Sequence, residues 1–75
     1  MTKDDLKVLV AAPGTIAVSG FAFGRKQQGT LTRGLENITL RLGDTQVFRT
    51  QGVAMEDNTF LGPLLDTIKT FEVRI

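Results

Sequence analysis

The chain has no cysteine, no histidine, no tryptophan and no tyrosine. Without cysteine there is no disulfide, no thiolate nucleophile and no cysteine zinc site. Without histidine the commonest metal ligand and acid–base group is missing. No apolar run approaches the roughly 18 residues of a membrane span. The opening Met1-Thr-Lys-Asp-Asp5 is polar and acidic, where a signal peptide starts basic. Charge of one sign is also scarce. Nine Lys and Arg stand against eight Asp and Glu, a net charge of +1 that does not by itself mark a nucleic-acid or membrane binder. These absences point to a cytoplasmic or virion-borne protein with no cofactor, no metal and no evident small-molecule substrate.

What is present is enough for one domain over residues 1–75. Burial at this mass contributes on the order of 105 kcal/mol. Ordering the chain costs on the order of 110 kcal/mol. The two offset each other, so the chain has little core to spare.

Short β-rich pieces are punctuated by eight glycines. Residues 6–12 and 15–23, joined by Pro13-Gly14, read as a β-hairpin. A second reading makes residues 3–12 a short helix, with Thr2 as its N-cap and Asp4 and Asp5 at the positive end of its dipole. Gly24-Arg-Lys-Gln-Gln-Gly29 reads as a polar loop, and Thr30 to Arg33 as a short strand. Asn37 to Thr50 is the clearest element, two strands about a Gly43-Asp44 turn. Pairing Leu42 with Thr45 puts Ile38, Leu40, Leu42 and Val47 on a dry face, and leaves Phe48 among polar residues on the wet one. Val53-Ala54-Met55 is a weak strand candidate before the turn-like Glu56-Asp57-Asn58. Pro63 opens a helix over 63–69, with Leu64, Leu65 and Ile68 on one face. Residues 70–75 alternate as a terminal strand with Phe71, Val73 and Ile75 inward. The expected fold is mainly β: a small barrel or curled antiparallel sheet of five to six short strands with one short C-terminal helix.

Catalytic groups are poorly supplied. The glycines of the 24–29 segment have P-loop spacing, but Thr30-Leu31 stands where the Lys-Ser/Thr pair belongs, so a turn explains them better. Ser19, the only serine, lies in an apolar strand without a histidine base. Glu56 and Asp57 read as a solvated turn rather than an acid–base pair. Asn37-Ile-Thr is a glycosylation sequon that means nothing without secretion. The chain reads as a non-enzyme.

Two binding modes stay open. If residues 6–12 form a strand, both faces of the first hairpin are apolar, and one short helix with a second hairpin cannot cover both. Burial against a protein partner or a second copy would then use Leu9, Ile16, Val18, Phe48, Phe71, Val73 and Ile75. For a tiny protein without catalytic side chains, this suggests a structural part that docks on a larger assembly. Examples are a capsid decoration, a tail or neck part of a virion, or a small viral inhibitor. The alternative, weighted lower, is a small barrel binding single-stranded nucleic acid. Residues 21–50 hold five of the basic residues against two acids. Arg25, Lys26, Arg41 and Phe48, with Phe21 or Phe23 as further platforms, supply cations and rings. Gly29-Thr-Leu-Thr-Arg-Gly-Leu-Glu-Asn-Ile-Thr-Leu40 resembles the middle strands of Sm-like RNA-binding barrels. The likeness covers twelve of 75 residues, with Arg33 where that family has aspartate. It implies a small barrel.

Overall fold

The computed structural model describes residues 1–75. The elements run α1 (Lys3–Leu9), β1 (Gly14–Ala22), β2 (Arg25–Arg33), β3 (Asn37–Leu42), β4 (Thr45–Gln51) and α2 (Leu61–Thr70). The strands form one antiparallel sheet in the order β1-β2-β3-β4. The fold is therefore mainly β with a short C-terminal helix, but it has four strands, not five or six, and the sheet does not close into a barrel. One face carries the helices and the core; the other is open.

The first expected hairpin does not form. Residues 3–9 are helical because the start is capped twice over. The Asp5 amide donates to the Thr2 hydroxyl at 3.2 Å, and the Thr2 amide donates to the Asp5 carboxylate at 3.1 Å. This reciprocal capping box outweighs the small β preference of Val8 and Val10. Leu6 and the capping Val10 drop into the core. Strand β1 pairs instead with β2 along nine residues, from Gly14 opposite Arg33 to Ala22 opposite Arg25. The segment expected to be a loop is thus a strand, and the turn is the two-residue Phe23-Gly24, with φ of 56° and 76°. Gly29 lies inside β2, where a Cβ would overlap the Arg41 carbonyl of β3.

With residues 6–12 out of the sheet, the two-sided apolar ribbon disappears. Val18 and Ala22 face the core, Leu9 and Ile16 are half-buried, and Val8 is 75% exposed on α1. No second covering layer is required.

Strands β3 and β4 pair as expected at Leu42–Thr45 about the Gly43 turn. A bulge then intervenes, so that Leu40 faces Phe48 rather than Val47. One extra residue turns every later side chain over. Phe48 therefore sits on the core side, half-buried with Val47 against the cluster, and is not an exposed ring on the wet face. Val53 is buried but not in a strand; its amide donates to the Glu36 carbonyl at 2.9 Å.

Helix α2 contains the expected 63–69 stretch and buries Leu61, Leu64, Leu65 and Ile68. It runs on through Thr70, whose hydroxyl donates back to the Asp66 carbonyl. That leaves no six-residue terminal strand. The tail turns at Glu72 (φ 50°) and makes one bridge to β1: Ser19 and Arg74 exchange amide-to-carbonyl bonds of 2.8 and 2.7 Å. The Phe21 amide donates to the Phe71 carbonyl at 2.6 Å. The tail thus blunts the free edge of β1. Val73 is buried and Phe71 half-buried, but Ile75 is 58% exposed. The fold exposes 4659 Å², near the roughly 4,500 Å² expected for its mass.

Candidate nucleic-acid interface

The register of the sheet dictates which side chains the open face presents. Directly opposed residues of antiparallel strands share a face. Those opposite to the core set are Thr15, Ala17, Ser19 and Phe21 on β1, and Lys26, Gln28, Thr30 and Thr32 on β2. They continue with Asn37, Thr39 and Arg41 on β3, and Gln46, Arg49 and Gln51 on β4. Arg74, paired with Ser19, extends the same face beyond β1. Four exposed cations, Lys26, Arg41, Arg49 and Arg74, therefore lie on a surface of small hydroxyls and amides. No acid occupies any of these register positions.

The acids lie elsewhere. Asp4 and Asp5 are on α1, Asp66 is on α2, and Glu56 and Asp57 are in the segment that leads into α2. These five share the helical side with the exposed Lys3, Lys7 and Lys69. Glu36 and Asp44 occupy the connections at the ends of β3, and Glu72 shares a depression at the β1 edge of the open face with Ser19, Phe21, Lys26 and Arg74. A chain of net charge +1 is thus polarised between its two layers.

Of the residues expected at a nucleic-acid surface, Lys26 and Arg41 are on the open face and Arg25 is exposed at the hairpin end. Phe48 is on the other side. Phe21, half-exposed, stands directly across from Lys26. Arg49 and Arg74 join the set unannounced. Arg49 reaches the face only because of the bulge, whereas the alternation of the tail had already placed Arg74 opposite in facing to Val73. Of the residues expected at a protein interface, Val18 and Val73 are in the core, and Leu9, Ile16 and Phe71 are half-buried. Ile75 alone is exposed, and it lines a shallow depression with Met1, Val8 and Leu9.

Arg33 is not a surface cation at all. It is 3% exposed, on the core side of β2. Its Nη2 donates to the Val53 and Ala54 carbonyls at 3.5 and 3.2 Å, and its Nε and Nη2 meet the Met55 sulfur at 3.3 and 3.1 Å. The guanidinium lies 5.4 Å from the centre of the Phe60 ring. Nη1 has no partner. Arg33 thus pins the irregular segment between β4 and α2 to the sheet.

The acids form no cluster of three. Asp57 is engaged by Thr59, whose amide and hydroxyl donate to it at 2.9 and 2.7 Å. Ser19 carries its hydroxyl on the open face beside Arg74. Families, curated proteins and solved structures offer no match to the chain.

The Thr59 bonds hold the Asp57 carboxyl below the ordinary carboxylate range against a small opposing effect of burial, and the nearby Arg33 charge adds to them. Thr2 does the same for Asp5. Both groups bind protons more weakly folded than unfolded. Their stabilisation is therefore complete above the unfolded value of about 3.9 and is lost as pH falls through it toward the folded values. Urea midpoints should be level from about pH 7 to 5 and drop below about pH 4. An Asp5→Asn/Asp57→Asn variant should drop less steeply; an equal drop would mean that other carboxylates carry the acid sensitivity.

Proposed function

We propose that this protein is a non-catalytic module that binds the phosphate backbone of single-stranded nucleic acid across the open face of its sheet. One observation carries the reading: four cations share that face against a single acid, Glu72, at its β1 edge, while five of the eight acids lie on the helical side. At the usual strand spacing, Arg74 and Arg49 mark out a surface roughly 20 Å across. Such a surface suits a flexible strand laid over it. Past Gly29 the β1–β2 hairpin runs on as a two-stranded ribbon without β3 beside it, and such a ribbon can enter a duplex groove. A duplex bound as tightly as the single strand would move the site from the open face to that ribbon. The intervening Ser, Thr and Gln side chains can donate to phosphate oxygens, which position a strand without reading its sequence.

The test is the salt dependence of binding to a labelled oligothymidylate, followed by fluorescence anisotropy. Four phosphate contacts give a log–log slope of about −3, or about 50-fold weaker binding at 200 mM than at 50 mM salt. A flat slope, or no binding at low salt, overturns the reading.

Protein association has one observation in its favour, the exposed Met1, Val8 and Ile75 about the half-buried Leu9, with Asp5 at the edge of the same depression. Its mechanism would be self-association or docking on a larger assembly. Light scattering after size exclusion distinguishes it: a salt-insensitive mass above 8.2 kDa would favour association over the open-face reading.

A further inference from the structure

Phe23 is the first residue of the β1–β2 turn, with φ 56°, and Gly24 follows with φ 76°. A turn with two left-handed residues suits Asn-Gly or Gly-Gly, and a bulky ring there is strained. Nothing in the fold compensates that strain, because the ring is 76% exposed. The hairpin end is nevertheless held firmly, with the Gln27 amide donating to the Ala22 carbonyl at 2.8 Å. The hairpin tip therefore displays an aromatic ring at a cost to stability, and strain of this kind is retained where a site uses it. Phe21 is half-exposed on the open face two residues earlier, and Arg25 and Lys26 follow the turn. The rings stand at the margin of the cationic surface.

We propose that Phe23 stacks on an unpaired base of the strand whose backbone crosses the open face. This rests on the reading of that face as a phosphate-binding surface and adds what the ligand must carry beyond charge. A ligand meeting both features needs negative charge and a flat apolar ring. A single strand has both, and simple polyanions have only the first. Stacking of this kind tolerates any base, because every base has a π-face.

The experiment compares a labelled oligothymidylate with an abasic oligomer of equal length, on the native protein, Phe23→Asn and Phe23→Leu. Asparagine accepts the left-handed backbone, so Phe23→Asn should melt about 5 °C higher. It should bind oligothymidylate about tenfold more weakly and the abasic oligomer unchanged. Phe23→Leu keeps the strain and loses the ring, and should show the same tenfold loss without the gain in melting temperature. The native protein should prefer oligothymidylate by a similar factor. Equal native affinity for the two oligomers, full affinity in Phe23→Leu, or equal losses on both ligands would overturn stacking. So would Phe23-dependent binding to phosphatidylserine vesicles without discrimination between the oligomers, which would make the tip a membrane contact. If neither oligomer binds at low salt, the open-face reading itself falls.

Discussion

Arg33→Ala should remove a large share of the protein's stability. A 75-residue domain has about 4–11 kcal/mol of stability to lose. The substitution strips donors from the Val53 and Ala54 carbonyls, removes a cation from the Phe60 ring and opens a hole beside it. The Ala54 carbonyl keeps the Asp57 amide at 3.0 Å, so the buried Val53 carbonyl is the acceptor left unmade, at about 1–3 kcal/mol, and the cavity adds to that. These effects overlap, so a combined loss of about 3–5 kcal/mol is expected, measured as a lower urea midpoint with unchanged slope. Arg33→Met separates shape from charge. Methionine fills most of the space and takes away the buried, unpartnered Nη1, but it cannot serve the two carbonyls. Its loss should be about half that of alanine. If alanine costs less than about 1 kcal/mol, the segment from 52 to 60 holds itself in place and Arg33 is not its anchor.

Arg33 also shows where sequence reading loses sight of the fold. In the sequence it is one more basic residue in a basic stretch. Only the register of β2 turns it inward, and β2 was itself hard to see. Its core-side positions at the turn end are Arg25, Gln27 and Gly29, so only Leu31 advertises a buried side. The β3–β4 turn and α2 were legible because their signals are local: a Gly-Asp turn between alternating strands, and a proline before three leucine and isoleucine positions on one face. Helix α1 was legible as one of two readings, and the deciding pair, Thr2 and Asp5, lies three residues apart in plain view. The β4 bulge has no signal in the sequence. It costs the reading Phe48 as a surface ring and hides Arg49 as a surface cation. The terminal alternation foretells Val73 inward, but Ile75 is exposed and the tail has only one residue bridged to β1, because α2 takes Thr70 and the chain turns at Glu72. The open face was thus half visible, through Lys26 and Arg41. Its excess of cations over acids became visible only when the strands were aligned.

That excess of cations predicts the largest functional effect, in Arg41→Glu/Arg49→Glu, on the side of the face away from Glu72. Arg49 faces Thr39, and Arg41 lies two residues along the same strand, so the two cations are neighbours on one face, about 8 Å apart. Both are exposed, and such surface changes usually move stability within about 0.5 kcal/mol. Binding should respond far more. Two phosphate contacts become repulsions, so affinity for oligothymidylate should fall at least about 100-fold at low salt, and the log–log slope should shrink from about −3 to about −1.5. Net charge alone could mimic the loss, because each reversal lowers the +1 total by two. Lys3→Glu/Lys7→Glu makes the same change on α1, at the other layer, where screening leaves it little reach across the sheet at ordinary salt. That variant should keep affinity within about threefold and the slope near its native value. Equal losses in the two variants would assign binding to the charge of the whole molecule. An unchanged affinity in Arg41→Glu/Arg49→Glu would remove the open face as the site, whatever else the protein binds.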